Sequence, residues 1–257
     1  MNYKSQTVSA VVITENDAQT LEEALSSLHW VDELIVVDCG STDGTLAIAR
    51  QFTDKVHFHP AHHLTRLRRD ALAMAKCDWI FLVEPDEWVE EMLRHEIDGV
   101  LLNTPSNING YTIPRKLKLQ NQWLKTGESE HALRLVRRKG HWHVGEDWEA
   151  SLSVKGEVGR LDRPMGYAPY RTVEDLFSAI NQRSTLLAYA HLAHHGVSTK
   201  DQGVMNMLWQ TKWAAYRQYI LKGGIWRGFM GLTMTMASMC ETFLKFAKIR
   251  TLTRKTV

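Results

Sequence analysis

The stretch from residue 6 to residue 50 restricts the possible folds more than any other part of the 257-residue chain. Two short apolar runs, residues 8–13 and 33–37, stand on either side of a segment with helical periodicity, residues 18–28. Strands that alternate with helices predict a parallel sheet, and ligands bind such sheets at the carboxyl ends of the strands. We therefore expect a binding site where these two strands end.

Polar and small residues follow both of these predicted strands. A carboxylate at such a position can accept hydrogen bonds from a base or a ribose, and a glycine lets the backbone approach a ligand closely. The candidate ligand-binding residues at this edge are Thr14, Glu15 and Asn16 after the first strand, and Asp38, Gly40 and Ser41 after the second.

A second group of carboxylates, Glu84-Pro85-Asp86-Glu87, follows a third apolar run at residues 79–83. Carboxylate oxygens are the ligands that hard divalent ions such as Mg²⁺ and Mn²⁺ prefer, and these ions also bind phosphates. An acidic helix N-terminus, favoured by the helix dipole, is the alternative explanation. With Asp38 upstream, we favour the metal site over the acidic helix start.

The composition is that of a globular protein with a core, with 44% hydrophobic and 23% charged residues. No apolar run approaches 18 residues, so we expect no spanning helix, and the N-terminus lacks the long apolar stretch of a signal peptide. Three widely spaced cysteines indicate free thiols in a reducing compartment. These features predict a cytoplasmic protein.

The charge is distributed unevenly along the chain. From residue 201 onward there are nine lysines and arginines against two carboxylates, a net charge of +7, which leaves −5 on the first 200 residues. A basic segment suggests a polyanionic partner, and no recognised nucleic-acid module appears, so we predict an anionic membrane surface and no nucleic acid. Residues 225–246 carry an apolar helical stripe that suits either packing on the rest of the protein or contact with a membrane surface.

The first of these motifs resembles the start of the inverting family 2 glycosyltransferases, and in particular their lipopolysaccharide-core glucosyltransferase branch. It reads VVITENDAQTLEEALSSL, followed by VDELIVVDCGSTDGT. Weaker similarity covers most of the remaining chain. The resemblance implies a GT-A-like α/β fold with a mixed, mostly parallel central sheet and a helical C-terminal appendage. From the pattern of strands, helices and charge we expect residues 1–200 to form the glycosyltransferase domain, with a nucleotide-sugar half (1–102) and an acceptor half (103–200), followed by a basic amphipathic helical tail (201–257).

The resemblance also implies a reaction. The donor is a UDP-sugar such as UDP-glucose, and the acceptor is a lipopolysaccharide core or another glycolipid at the inner face of the cytoplasmic membrane. Asp86 matches the metal-binding aspartate of the family motif, with Mg²⁺ or Mn²⁺ as the cofactor, and Glu84 replaces the first aspartate. Glu149 matches the family's catalytic carboxylate, with Asp147 as its rival.

Arginines near a helix start complete the predicted donor site, because a guanidinium offers a fork of donors to a diphosphate. Arg69 is the first choice and Arg66 the second; a solvated helix face is the alternative. The chain departs from the family pattern at Pro85, Trp148 and Tyr167. These departures leave a second hypothesis open, a catalytically weak glycosyltransferase-like protein that binds or scaffolds at the membrane.

Overall fold

The computed structural model describes residues 6–60, 63–119, 122–123, 130–145, 150–170, 172–195, 203–221 and 223–254. The chain divides into two compact units, one formed by residues 1–117 with 129–168 and the other by residues 118–128 with 169–257. The functional boundary expected at residue 200 stays a prediction.

The elements follow one another in a strand-and-helix order that gives way to helices near residue 170. In chain order they are β1 (Val8–Thr14), α1 (Leu21–Ser26), β2 (Glu33–Asp38), α2 (Thr45–Phe52), β3 (Val56–Phe58), α3 (Leu64–Ala73), β4 (Trp79–Val83), β5 (Glu87–Trp88), α4 (Glu91–Asn103), β6 (Ile108–Leu119), β7 (Gln122–Trp123), β8 (Glu130–Arg137), β9 (Trp142–Val144), β10 (Leu152–Val154), β11 (Glu157–Arg160), β12 (Met165–Tyr167), α5 (Val173–His195), α6 (Val204–Tyr216) and α7 (Gly228–Arg254). A π-helical turn (Arg217–Leu221) and a 3-10 turn (Gly224–Arg227) lie between α6 and α7.

The central sheet has the strand order β3-β2-β1-β4-β8-β6-β12-β5. The first four strands are parallel, and β8 then enters antiparallel to both β4 and β6. Thr14 lies beside Asp38, and Val12 beside Val83, so β1, β2 and β4 end at the same edge of the sheet. The predicted α/β class with a mixed central sheet and a helical C-terminal region is confirmed.

β1, β2 and β4 are mostly apolar and buried because helices cover both faces of the sheet. On one face the strands pack against Leu21 and Leu25 of α1 and against Leu93 of α4. On the other face they pack against Leu67 and Leu72 of α3. This two-sided burial holds the loops at the carboxyl edge on a rigid base.

The last residue of the acidic motif, Glu87, begins the short strand β5, so the motif does not lead directly into a helix. Residues Glu87–Trp88 pair with β12 instead, and α4 begins only at Glu91. Gly166 leaves room for the Trp88 ring, since a Cβ atom there would lie 2.0 Å from that ring.

The second unit contains the three C-terminal helices, and α7 packs against both α5 and α6. Lys248 on α7 donates hydrogen bonds to Asn181 Oδ1 (2.8 Å), Ser184 Oγ (2.8 Å) and Thr185 Oγ1 (2.7 Å) on α5. Phe246 is buried beside Ala188 of α5. The C-terminal end of the predicted apolar stripe therefore packs within this unit.

Candidate active site

The loop after β2 is shaped by the carboxylate of Asp38. This side chain is buried, and its Oδ2 atom accepts hydrogen bonds from the backbone N–H groups of Gly40 (3.0 Å) and Ser41 (3.2 Å). Gly40 has φ +111°, a conformation that glycine adopts at little cost. A carboxylate has about four acceptor positions, so Asp38 retains acceptor capacity toward a ligand at this edge.

Asn16 joins the loops that follow β1 and β2. Its backbone has φ +60°, a left-handed conformation in which asparagine is enriched. Its N–H group donates to Ser41 Oγ (2.9 Å), and its side-chain oxygen accepts from the Thr42 N–H group (2.8 Å). The structure thus brings the predicted residues of the two loops together, with Thr14 buried and Glu15 exposed beside them.

The floor of this double loop is acidic. Asp17, which the sequence analysis did not single out, accepts hydrogen bonds from Thr14 Oγ1 (2.8 Å) and from the Glu15 N–H group (2.9 Å). Burial raises the pKa of Asp17, although these hydrogen bonds oppose the shift. Burial also raises the pKa of Cys39 to about 11, with contributions from the nearby Glu15 and Asp38 carboxylates. The Cys39 thiol is therefore protonated at neutral pH and no nucleophile.

Glu84 leads from β4 to the same edge, where two arginines contact it. Arg68 of α3 places Nη2 2.6 Å from Glu84 Oε1, and Arg134 of β8 places Nη1 3.3 Å from the same atom. Glu84 replaces the first aspartate of the family motif, yet its charge is already balanced by the protein. The two ion pairs balance the charge of Glu84, and its predicted part in donor binding stays a prediction.

Glu87 is the fully buried member of the same motif. It lies 2.7 Å from Arg134 Nη2 and 3.4 Å from Arg115 Nη1, and it accepts a hydrogen bond from the Glu84 N–H group. Buried charges persist only when they are paired and hydrogen-bonded, and the two carboxylates raise the pKa of the Arg134 guanidinium despite its burial. Arginines therefore neutralise two of the three carboxylates in the motif.

Asp86 is the third carboxylate, and it forms no ion pair with any residue that the structure describes. Burial and the neighbouring Glu87 and Glu84 charges raise the pKa of Asp86 to about 7. Among the described residues, no three His, Cys, Asp or Glu side chains are grouped as a metal site. Asp86 alone fits a Mg²⁺ or Mn²⁺ ion of the kind that takes one or two carboxylates and completes its shell with substrate phosphates and water.

The three arginines of α3 have different surroundings. Arg68 reaches the Glu84 carboxylate, as described above. Arg69 is exposed, and Arg66 is exposed with its Nε atom 3.6 Å from Asp70. Their proposed contact with a diphosphate stays a prediction.

The predicted catalytic carboxylates Asp147 and Glu149 lie outside the described residues, as does Trp148. The chain on either side of them is held by α3. Thr65 Oγ1 donates to the Gly145 carbonyl (2.9 Å), and Arg68 Nη1 donates to the Ala150 carbonyl (3.1 Å). Arg68 therefore connects the Glu84 carboxylate to the segment that carries the predicted base.

Asp17, Arg68, Glu87 and Arg134 are members of this site that the sequence analysis did not choose. Of these, Arg134 carries a local signal, because it interrupts the apolar run of strand β8. A buried arginine requires an anionic partner, so this interruption could have directed attention to Glu84 and Glu87.

Comparison with known proteins shows which proteins this chain is similar to. Residues 9–144 match the model of the family described as "Glycosyl transferase family 2". An uncharacterized glycosyltransferase of Rickettsia felis (strain ATCC VR-1525 / URRWXCal2) is 37% identical over 95% of this chain and 89% of its own length. The lipopolysaccharide core biosynthesis glycosyltransferase LpsC of Rhizobium meliloti (strain 1021) is 26% identical over 94% of this chain and 91% of its own.

Among solved structures, S. aureus TarS 1-349 superposes with a TM-score of 0.47 at 16% identity, over 98% of this chain and 92% of that chain.

Proposed function

Because this chain belongs to glycosyl transferase family 2, we propose that it moves a sugar with inversion from a UDP-sugar, such as UDP-glucose, to a lipopolysaccharide-core or other glycolipid acceptor. The observation that supports this most is the meeting of the Asp38 loop and the Glu84-Pro85-Asp86-Glu87 loop at one sheet edge. The acceptor class is suggested by the relative that acts in lipopolysaccharide core biosynthesis.

The proposed reaction is a single displacement at the anomeric carbon. Glu149 or Asp147 accepts the proton of the acceptor hydroxyl, whose oxygen forms the new bond as the bond to the diphosphate breaks. Asp86 would hold Mg²⁺ or Mn²⁺, which supplies neutralisation of the departing diphosphate. Asp38 and the Asn16–Ser41 double loop bind the nucleoside, and Arg69 or Arg66 approaches the phosphates.

Turnover tests the proposed function directly. Release of nucleoside diphosphate should be measured with a panel of nucleotide sugars, Mn²⁺ and a lipopolysaccharide-core acceptor. We expect Glu149→Gln to lower the turnover about 10²–10⁴-fold, the usual contribution of a general base, with donor affinity near normal. If Asp147→Asn shows this loss and Glu149→Gln does not, the base is Asp147.

A binding or scaffolding protein is the second candidate, and the departures at Pro85, Trp148 and Tyr167 favour it. Tyr167, which stands where the family has histidine, lies under the Arg115 guanidinium at 4.7 Å from its ring centre. A scaffold would bind nucleotide sugar without turnover for every donor in the panel. The same panel therefore separates the two candidates.

The Asp38 carboxylate should matter for nucleotide affinity. Asp38→Ala removes a charged acceptor, whose hydrogen bond contributes about 1.5–3 kcal/mol, and it also frees the Gly40 and Ser41 N–H groups. We expect UDP affinity in calorimetry to fall by about tenfold or more, while the exposed control Asp54→Ala leaves it unchanged. Equal affinity in a folded Asp38→Ala variant would remove Asp38 from the donor site.

We further propose that the enzyme acts at the inner face of the cytoplasmic membrane, where a glycolipid acceptor is present. None of the described helices is long and apolar enough to cross a bilayer. The net charge of +7 from residue 201 onward favours attraction to anionic headgroups.

A further inference from the structure

The end of the second unit between α6 and α7 exposes large apolar side chains to an unusual extent. We define the hairpin tip as Tyr216, Ile220, Leu221, Ile225, Trp226 and Phe229. Trp226 is 90% exposed, Phe229 77% and Leu221 61%, whereas Phe246 near the other end of α7 is 7% exposed. The apolar stripe is therefore covered near one end, where Phe246 clusters with Ala188 of α5, whereas Leu232, Met236 and Phe243 are 41–48% exposed and the side chains of the tip are exposed as well. Large contiguous apolar patches on a surface indicate interaction sites.

Glycines fix the shape of the hairpin tip. Gly223 has φ +67° and Gly228 has φ +55°, both in the left-handed region that favours glycine. A Cβ atom on Gly224 would lie 2.8 Å from the Gln218 carbonyl oxygen and 2.9 Å from Tyr219 Cα, so the backbone there can only be this close without a side chain. The turn is thus held by its backbone, and the apolar side chains of the tip are presented without a rearrangement.

Charge decides which partner suits this surface. By sequence, residues 203–240 contain four basic residues, Lys212, Arg217, Lys222 and Arg227, and no carboxylate. Lys212 and Arg217 are exposed. A second copy of this chain would bring like charges together, whereas anionic lipid headgroups would be attracted to them. Trp213 and Tyr216, which stack at 5.6 Å, are the residue types that prefer the headgroup level.

We propose that the hairpin tip inserts into the headgroup and upper acyl region of an anionic bilayer, with Trp226 and Phe229 as the leading side chains. This proposal rests on the proposed function, because it names the part of the chain that holds the enzyme at the membrane of its acceptor. Interfacial segments of this type enter about 5–10 Å and do not span the bilayer. The tip, and not the whole length of the apolar stripe, is the membrane-binding element.

Co-flotation of the full chain with vesicles of phosphatidylglycerol and phosphatidylcholine tests the insertion. We expect Trp226→Ser with Phe229→Ser to weaken vesicle binding by about tenfold or more, since each side chain loses its apolar burial in lipid. The matched control is Met205→Ser, at the other end of α6, which is 79% exposed and should bind like the parent. High salt should weaken the parent's binding without abolishing it, because apolar insertion is not screened.

Three outcomes would overturn the insertion proposal: parent protein that ignores anionic vesicles, a double variant that binds like the parent, or a parent that dimerises through the tip without binding lipid. Circular dichroism checks that the variants fold, as expected for changes at exposed positions. UDP affinity and turnover in the same preparations report separately on the proposed function. Vesicle binding with no turnover for any donor would refute the proposed enzymatic function and support the insertion proposal. Normal turnover without vesicle binding would support the enzymatic function and refute the insertion proposal.

Discussion

Replacing Asp86 with asparagine is expected to abolish nearly all sugar transfer while the protein stays folded. The structure explains why this one carboxylate should be decisive, because arginines already neutralise Glu84 and Glu87. Asparagine keeps the size of the side chain and removes its charge, so the Glu84-Pro85-Asp86-Glu87 motif loses its one carboxylate that has no ion pair among the described residues. Release of nucleoside diphosphate in the presence of Mn²⁺ measures the loss.

Although Asp86→Asn should lose activity, its thermal stability should be equal to that of the parent or higher. The folded protein raises the pKa of Asp86 to about 7 from an ordinary value near 3.8, so the folded state binds this proton more tightly than the unfolded state. Stability then falls as the pH rises from the unfolded pKa to the folded pKa, and the asparagine variant escapes this loss. In chelator, Asp86→Asn should melt at the same temperature as the parent or higher, with a larger difference at about pH 8 than at about pH 4.

These two measurements separate a metal ligand from a structural carboxylate. A variant that is inactive and less stable than the parent at every pH would identify Asp86 as a structural residue. Full activity of the parent in excess chelator would refute the metal, and would leave arginine as the group that stabilises the departing diphosphate.

Removing the Arg134 guanidinium should have the largest effect on stability. Arg134→Met leaves the fully buried Glu87 with the more distant Arg115 and takes one of two arginines from Glu84. Breaking a buried ion pair by removing one partner costs about 3–5 kcal/mol, because a buried charge loses its compensation. Urea unfolding should show this decrease in the free energy of unfolding.

The chain offers a matched control and a rescue for this variant. Arg138 follows β8 and donates a single hydrogen bond to the Cys77 carbonyl, so Arg138→Met should cost only about 1 kcal/mol. Adding Glu87→Gln to Arg134→Met removes the uncompensated charge and should restore part of the stability. A decrease of under about 1 kcal/mol for Arg134→Met would show that the network is solvated and contributes little.

The sequence predicts the positions of the loops after β1 and β2 well because their signals are local. Alternating strands and helices place Asp38 and Asn16 at one edge, and turn residues mark where the strands end. Arg134 has no such local signal. It contacts Glu84 and Glu87 because β8 pairs with β4 as well as with β6, and its partners in β4 lie 54–58 residues away in the chain, a separation that periodicity does not encode.

The apolar stripe of α7 shows the same limit in a helix. Periodicity predicts that Phe229 and Phe246 share a face, but it cannot tell which part of that face is covered. The cover comes from α5, which reaches Phe246 and leaves Phe229 exposed. Tertiary packing therefore decides which side chains of the apolar stripe are buried.

The contact between Trp88 and Gly166 has a consequence for how this sequence can diverge. A Cβ atom at position 166 would lie 2.0 Å from the Trp88 ring, so no larger residue is tolerated there while the ring stays in place. Alanine at 166 would require the Trp88 ring to move or position 88 to become smaller, so substitutions at these two positions, far apart in the chain, are expected to be coupled.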